Sequence, residues 1–485
     1  MADLNFSELA GQNLSPTIAI ETDFLSGVSI SPEISKRLLL IGYKISGGTA
    51  TANEVYEIPS EGKGRTLFGE GSMLSNMIEA AMRQKTQYRL FAMAYAEGGG
   101  VQATEDITIT GTSATTAGEI RGYIAGRLVR AGIEVGDTPT TAGDALVAAI
   151  GDIYNMPITS SNSTGTVSIT ARHAGVEGNT IRLDSIECTA AGLTATAGAA
   201  VLSGGTLAGD PTTGLANLQA DRFHHICCGT NDSASLVIVE THVDLQSGAT
   251  VQKWCDMYGA TNGNEAAATA LAAALDNKRA HIAWAQNCPN PCWEIAAANA
   301  AEIAGTADRK QNQNGHVLKF LKPPVSRSSW PIKSELNSSI AAGVTPIRFD
   351  EKYAYIDRQV TTWTTDSTFR DTAIMQISDY CDEDYIERIR SRYSDAALKV
   401  DSLPNTQNVV SPDRMLDVLK EAMADWEALD YIQGSVLDAE LGNLISQANS
   451  LDANRIDTGF PFRAVQQAIT IAAIKNYVEP LSIGG

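Results

Sequence analysis

Two short glycine-containing motifs have the residue types of a hydrolytic site and a phosphate site, and neither pattern is complete. Gly111-Thr112-Ser113-Ala114 resembles the serine motif of a triad protease. In that arrangement an aspartate and a histidine precede the serine, but the first histidine here is His173. Gly62-Lys63-Gly64 departs from a phosphate-binding loop, because glycine follows the lysine where serine or threonine is required. We predict turns at 111–114 and 62–71, the second leading into a helix capped by Ser72.

Potential metal ligands are densest at His224-His225-Ile226-Cys227-Cys228. Adjacent strand residues point to opposite faces, so one histidine and one cysteine at most share a site there. No second pair has the spacing of a zinc site, and we predict neither a metal nor a cofactor. The seven cysteines are expected to be buried apolar thiols. An alternative is a disulfide between subunits outside cells. The candidates for it are Cys188, Cys255, Cys288, Cys292 and Cys381.

An acidic run opens a predicted helix from 378 to 393, and three arginines follow it. The acids are Asp379, Asp382, Glu383, Asp384 and Glu387. Acids early and bases late in a helix complement its dipole. Nothing in the pattern separates the acids into a catalytic acid and base, so a solvated or interfacial helix is predicted. The sequence therefore yields no catalytic residue.

The composition is that of a globular chain of several domains. It has 485 residues, of which 44% are apolar and 19% charged, with a net charge of −20. Such acidity argues against nucleic acid and anionic membranes as partners. There is no apolar run of about 20 residues and no signal-peptide pattern. We expect the protein to fold in a cytoplasm without inserting into a membrane.

The elements that would position these residues indicate an α/β multidomain protein. A β–α–β opening is predicted from a strand at 37–43, a helix at 72–82 and a strand at 87–95. Two similar threonine-led segments, 115–120 and 140–146, are each predicted to begin a helix. Helices and strands alternate again after 209, which predicts a parallel sheet. The predicted parts are an N-terminal arm at 1–25, the first part of the α/β core at 26–98, a Thr/Gly-rich mainly-β insertion at 99–208, the α/β core at 209–325, an α+β domain at 326–467 and a C-terminal arm at 468–485.

An ordered set of segments resembles the tail sheath proteins of Mu-like contractile-tailed bacteriophages. Each segment is short, but together they cover most of the chain in the family's order. They include Leu67–Leu74, Ala125-Gly126, Thr170–Gly175 with Gly178-Asn179, Gly204-Gly205 before Asp210-Pro211, Ile356–Trp363 and Asp452–Ile456. The strand His224–Cys228 departs from the family, which has aliphatic residues there.

The resemblance implies a subtilisin-like α/β core without its catalytic triad, and a structural role. Sheath subunits polymerise as stacked hexameric rings around a tail tube and contract to drive the tube through the host envelope. The implied partners are other copies of the chain, the tail tube protein, and baseplate and tail terminator proteins. The implied location is the tail of the virion, after assembly in the host cytoplasm. The insertion is expected to face outward.

Strand-forming segments at both chain ends suit exchange between subunits by β-augmentation. The predicted inter-subunit contacts are Ile18, Ile20, Ile469, Ile471, Ile474, Tyr477 and Val478. An intramolecular last strand or helix is the alternative. Two other functions stay open at this point: a cytoplasmic α/β enzyme with an unrecognised site, and the sheath of a headless tailocin or injection machine.

Overall fold

The computed structural model describes residues 36–84, 87–218, 220–393, 396–400, 406, 408–435, 442–448, 450 and 455–466. All of them lie in the unit formed by residues 35–485. Both predicted arms, with the seven contact residues assigned to them, lie outside the described residues.

The first described elements form the predicted β–α–β unit. They are β1 (Arg37–Gly42), β2 (Val55–Glu57), α1 (Glu61–Phe68), α2 (Met73–Met82) and β3 (Arg89–Ala94). Strands β1 and β3 pair in parallel. The Ser72 hydroxyl accepts a hydrogen bond from the Ser75 N–H, which confirms the predicted cap of α2.

The turn predicted at 62–71 is wrong, because most of that segment is helix α1. The Ser60 hydroxyl caps it by accepting from the Lys63 N–H at 3.3 Å. A Cβ on Gly64 would lie 2.7 Å from the Ile78 side chain of α2. Glycine at this position therefore allows two helices to pack closely, and it does not mark a turn.

The chain between 99 and 208 forms two small antiparallel sheets and a helix. Its elements are β4 (Gln102–Gly111), β5 (Gly118–Ile124), β6 (Arg127–Ile133), α3 (Pro139–Gly151), β7 (Ile158–Ser163), β8 (Thr166–Ala174), a 3₁₀ helix (Val176–Thr180), β9 (Leu183–Cys188) and β10 (Leu193–Ala197). The sheets have the strand orders β10-β4-β8-β7 and β6-β5-β9. We call residues 99–208 the insertion.

Of the two predicted threonine-led helices, one is correct. Residues 140–146 lie in α3, which is capped by Thr138. Residues 118–124 form β5 instead, with β6 and β9 on its two sides. Ile120, Gly122 and Ile124 alternate as buried residues, so the two-residue period of a strand outweighs the local cap signal.

The two connections between the insertion and the rest of the chain run side by side. The Val101 N–H donates to the Thr206 hydroxyl at 3.1 Å, and the Thr206 N–H donates back to the Val101 carbonyl at 3.2 Å. A Cβ on Gly100 would lie 1.6 Å from the Thr206 carbonyl oxygen. Only glycine permits this approach of the two backbones.

Beyond the insertion, helices and strands alternate as predicted. The elements are α4 (Thr212–Asn217), β11 (His225–Cys228), α5 (Ser233–Ser247), β12 (Asp256–Thr261), α6 (Glu265–Leu275), β13 (Ala280–Trp284), α7 (Cys292–Ala304), β14 (Val317–Leu318), α8 (Lys333–Ala341), β15 (Thr345–Phe349) and β16 (Ala354–Ile356).

The large sheet has nine strands in the order β14-β16-β15-β13-β12-β11-β1-β3-β2. The strands from β15 to β3 are parallel, and β14, β16 and β2 pair antiparallel. Leu38, Leu39, Leu40 and Ile41 of β1 have no exposed surface. A continuous apolar run of this kind is typical of a parallel strand covered on both faces. The predicted parallel sheet and mixed α/β class are confirmed.

The last described elements surround a second, smaller hydrophobic cluster. They are α9 (Thr372–Tyr393), β17 (Ala397–Leu398), β18 (Val409–Val410), α10 (Pro412–Ala428), β19 (Ile445–Ala448) and β20 (Ile456–Gly459). Trp426 of α10 is fully buried in this cluster. Helix α9 begins six residues before the predicted start at 378, because the buried apolar residues Ala373, Ile374 and Ile377 extend its helical pattern.

The central position of β1 leads to a stability prediction. Leu40→Ala should lower the free energy of unfolding by roughly 2–5 kcal/mol, since it removes buried methyl groups and leaves a cavity. The control is Leu245→Ala, because Leu245 is 55% exposed. Its effect should stay within about 0.5 kcal/mol. Denaturant unfolding followed by circular dichroism measures both, and equal effects would contradict the assignment of β1 to the core.

Candidate functional site

The carboxyl ends of the parallel strands are where open α/β sheets bind ligands. In this chain the insertion covers that edge. The Asn262 side chain, one residue after β12, donates to the Thr180 carbonyl at 2.8 Å. The Cys292 N–H, at the start of α7, donates to the Thr180 hydroxyl at 3.3 Å. The 3₁₀ helix of the insertion thus packs against the carboxyl edge of the sheet.

A buried carboxyl group joins this 3₁₀ helix to β1. The Tyr43 hydroxyl, next to the end of β1, donates to Glu177 Oε1 at 2.9 Å. The same hydroxyl accepts from the Gly209 N–H at 2.6 Å. Glu177 is 1% exposed, and burial raises its pKa to about 7. Burial likewise raises the pKa of Tyr43, so its hydroxyl stays protonated as a donor.

His173 of the insertion uses both ring nitrogens in contacts with the core. Its Nε2 accepts from the Met73 N–H at 2.9 Å, so Nδ1 carries the proton of the neutral ring. Nδ1 contacts the Glu97 carboxylate. Neither nitrogen is directed at a nucleophile, and the contacts assign His173 a positioning role.

Arg127, at the start of β6, reaches the first turn of α7. Its guanidinium donates to Glu294 Oε1 at 2.8 Å and to Asn76 of α2. The Asn290 side chain donates to Glu294 Oε2 at 2.7 Å. Burial raises the pKa of Glu294, which has no exposed surface, and the Arg127 charge opposes that rise. The carboxylate is therefore paired and hydrogen-bonded on both oxygens.

Asn155 completes the contact on the side of α2. Its Oδ1 accepts from the Gly71 N–H at 2.8 Å, and its Nδ2 donates to Glu79 Oε2 at 2.9 Å. Gly71 has φ +80°, and a Cβ there would lie 2.4 Å from the Met156 carbonyl oxygen. We call these contacts together the carboxyl-edge interface. The insertion contributes five residues to this interface: Arg127, Asn155, His173, Glu177 and Thr180. The rest of the chain contributes Tyr43, Gly71, Met73, Glu79, Glu97, Asn262, Cys292 and Glu294.

Several motifs that carry the family resemblance lie at this interface. Leu67–Leu74 supplies Gly71 and Met73, and Thr170–Gly175 supplies His173. Ala125-Gly126 directly precedes Arg127. Sequence reasoning missed the role of Glu177, although the glycines at 175 and 178 on either side of it were a usable signal.

The His224–Cys228 strand is part of the interior of the sheet. His225 Nδ1 lies 3.0 Å from the Tyr258 hydroxyl, and the Tyr258 ring stacks on His281 at 4.9 Å between centroids. Burial lowers the pKa of His225. Across the described ranges, no three His, Cys, Asp or Glu side chains are grouped so that they could hold a metal ion. These rings therefore act as packing residues.

The acidic run of α9 lies at the opposite, amino edge of the sheet. Two N–H groups of Arg279 donate to Asp379 at 2.6 and 2.9 Å, and Arg222 pairs with Glu383. Asp384 accepts from the Trp426 indole N–H at 2.8 Å. The acids lie within α9 and do not open it. Arginines pair with three of the five, Asp379, Glu383 and Asp384. The helix is interfacial within the chain.

Four of the five cysteines predicted as disulfide candidates are buried in this chain. They are Cys255, Cys288, Cys292 and Cys381. Burial raises the pKa of Cys255, Cys288 and Cys292 to about 12. Cys188, at the end of β9, is partly exposed. Disulfides between subunits stay a prediction, and Cys188 is the position that a partner could reach without opening the fold.

Comparison with known proteins gives one sequence relative of clear significance. No family model matches the sequence. The chain is 26% identical over 348 residues to the Mu-like prophage FluMu tail sheath protein of Haemophilus influenzae. The aligned residues cover 70% of this chain and 70% of that protein. The resemblance to Mu-like tail sheath proteins is thereby confirmed. Within the part of the chain that the structure describes, no helix is both long and apolar enough to cross a membrane.

Solved structures with a similar course of the chain are sheath proteins at low identity. A sheath tail protein from Desulfitobacterium hafniense is 13% identical, with coverage of 90% of this chain and 93% of that one and a TM-score of 0.46. The helical sheath of the anti-feeding prophage in its contracted state is 10% identical, with coverage of 97% and 100% and a TM-score of 0.49.

The raised pKa of Glu177 predicts a specific pH dependence of stability. Its pKa is about 7 in the folded chain and 4.5 as an ordinary glutamate, so the folded state binds the proton more tightly. The stability that this proton contributes is complete below about pH 4.5 and is lost as pH rises towards 7. Glu177→Gln keeps the acceptor for Tyr43 and removes the titration. Relative to wild type, its unfolding free energy should rise by up to about 3 kcal/mol between pH 4.5 and 8.

Urea unfolding at a series of pH values measures this difference. Glu134→Gln, at an exposed loop glutamate, is the control for loss of one negative charge. Parallel pH profiles for wild type and Glu177→Gln would show that the carboxyl group is not buried as described.

Thiol accessibility gives a second prediction from the site. In the native protein at pH 8, one thiol should react rapidly with Ellman's reagent, because only Cys188 of the seven cysteines is not buried. Cys188→Ser should abolish the fast phase, whereas Cys381→Ser should leave it unchanged. Fast reaction of two or more thiols would contradict the burial of the others.

Proposed function

We propose that this chain is the structural subunit of a contractile phage tail sheath. The observation that carries the proposal is its 26% identity to a Mu-like tail sheath protein over 70% of both chains. The motifs that carry the family resemblance support it, because their residues Gly71, Met73 and His173 hold the insertion against the sheet. In this proposal subunits stack as hexameric rings around a tail tube, and the chain resides in the virion tail after assembly in the host cytoplasm.

The competing proposal is an α/β enzyme, whose substrate would bind at the carboxyl edge of the sheet. In the described part of that edge, His173 contacts Met73, Glu177 contacts Tyr43, and Glu294 contacts Arg127. The matched relative is named as a sheath protein. A structural, non-enzymatic role agrees with both observations.

The proposed domain layout is supported by the sheets, although one hydrophobic cluster contains residues of both the insertion and the α/β core. Strands β4–β10 lie between Gln102 and Ala197, within the insertion. The second hydrophobic cluster extends from Ile377 to Leu444, within the proposed α+β domain at 326–467. The parallel centre of the nine-stranded sheet is the proposed subtilisin-like core.

A two-stranded sheet offers an acceptor for strand exchange. In the described ranges 442–448 and 455–466, β19 and β20 pair with one another and with no other strand. Ile445 at the start of β19 is 54% exposed. An open sheet edge recruits an extended segment through main-chain hydrogen bonds. We therefore propose that an arm of a neighbouring subunit, with Ile18 and Ile20 or with Ile469 to Val478, adds to this sheet.

Contraction in this proposal is a rigid-body rearrangement of subunits about their arms. The extended sheath is held kinetically until a baseplate signal releases it. The further partners are the tube and the tail terminator protein. No nucleotide is needed for a step of this kind.

Negative-stain electron microscopy of the purified protein tests the proposal. The expected product is hollow, striated tubes, either alone or when tail tube protein is supplied as a template. Removal of the residues from Ala468 onward should leave a folded core, by circular dichroism, that forms no long tubes. The reason is that a head-to-tail polymer needs its connecting segment.

Two results would contradict these expectations. Uniform small particles from the full chain, with and without tube protein, would count against a sheath role. Tubes of normal length from the shortened chain would leave the sheath role intact and refute the C-terminal arm.

A further inference from the structure

A surface groove lies between the insertion and the loop that follows β14. Its volume is about 390 Å³. Its apolar lining includes Tyr123 of β5 together with Pro323, Pro324, Val325 and Trp330. The Trp330 indole N–H donates to the Pro324 carbonyl at 3.0 Å, which fixes the ring. Val325 is 52% exposed, so the groove presents apolar surface to solvent.

The rim of this groove is positively charged. Lys322 and Lys352 are exposed on it. Arg327 on the same rim is neutralised by Glu351. The Lys322 backbone is held in place, since its N–H donates to Asn290 at 2.8 Å and its carbonyl accepts from the Cys288 thiol at 3.3 Å. The Lys352 ammonium lies 4.9 Å from the centre of the Tyr353 ring and interacts with the Asp350 carboxylate. The groove lining thus carries three cationic side chains and one carboxylate, Glu351, beside an apolar surface.

The surrounding sequence is basic in an otherwise acidic chain. Residues 309–358 contain nine Lys and Arg against four Asp and Glu, whereas the chain as a whole has 36 against 56. Copies of a chain with a net charge of −20 repel one another unless unlike charges meet at their contacts. Several of these basic residues pair with carboxylates within the chain, among them Lys333 and Arg358. The excess of cationic side chains in the groove lining is complementary to an acidic surface.

We propose that this groove docks an acidic segment of a second copy of the chain. Two grooves cannot dock against each other, because that would bring Lys322 and Lys352 against their own counterparts. The contact must then join the groove to a different surface of the neighbour. Such a heterologous contact repeats in one direction and builds an open polymer. The inference rests on the proposed sheath function and identifies one of its contacts.

Charge reversal at the rim tests the contact. The Lys322→Glu/Lys352→Glu variant should need about tenfold more protein to form tubes, measured by sedimentation and electron microscopy. The control is Lys63→Glu/Lys420→Glu, which changes the net charge equally at two exposed lysines outside the groove. Added salt should raise the assembly threshold of wild type more than that of the groove variant. Equal thresholds for the groove and control variants would overturn the proposal.

A crosslinking experiment gives a readout that does not require tubes. Benzoylphenylalanine in place of Val325 is irradiated in a mixture of ¹⁵N-labelled and unlabelled full-length chains. A mixed-label product in an acidic peptide is the expected result. Crosslinks confined to one chain, or formed only with added tube protein, would refute a second copy as the occupant.

If wild type forms tubes while the groove variant is unaffected, the groove proposal fails and the sheath function stands. If wild type forms no tubes, the sheath proposal fails and crosslinking alone decides the groove.

Discussion

The hydrogen bond between Glu177 and Tyr43 is buried away from water. The need to pair this buried carboxyl group determines how the insertion is attached to the sheet. A buried carboxyl group is costly unless donors reach it, so the end of β1, the 3₁₀ helix and the backbone at Gly209 must meet in one arrangement. The paired Glu294 imposes the same condition at the start of α7. Polar burial at these two points specifies the position of the insertion, while the apolar sheet supplies most of the burial.

In this arrangement the polar side chains at the carboxyl edge of the α/β fold bind the insertion. Side chains of the types that bind substrates contact other residues of the chain here. His173 is a clear case, because its two nitrogens are taken by a backbone N–H and a carboxylate. A fold sets where a site can be, but the groups left available decide whether there is one. Here the polar side chains of the carboxyl-edge interface hold the insertion on the sheet.

The parts predictable from sequence were those with local causes. Strand β1, helix α2 and the alternation after 209 follow from apolar periodicity and from caps a few residues away. Helix α1 was missed because its glycines serve packing against Ile78, a contact invisible in the local pattern. The carboxyl-edge interface was missed for the same reason on a larger scale, since Tyr43 and Glu177 are 134 residues apart. The resemblance motifs marked the right segments without showing what their residues do.

The paired connections at Val101 and Thr206 have a mechanical consequence. A domain held by one strand of chain can swivel about it, but two backbones hydrogen-bonded side by side resist twisting. The carboxyl-edge interface adds further fixed points away from that axis. A torque applied to the nine-stranded sheet is therefore transmitted to the insertion, and the two rotate together.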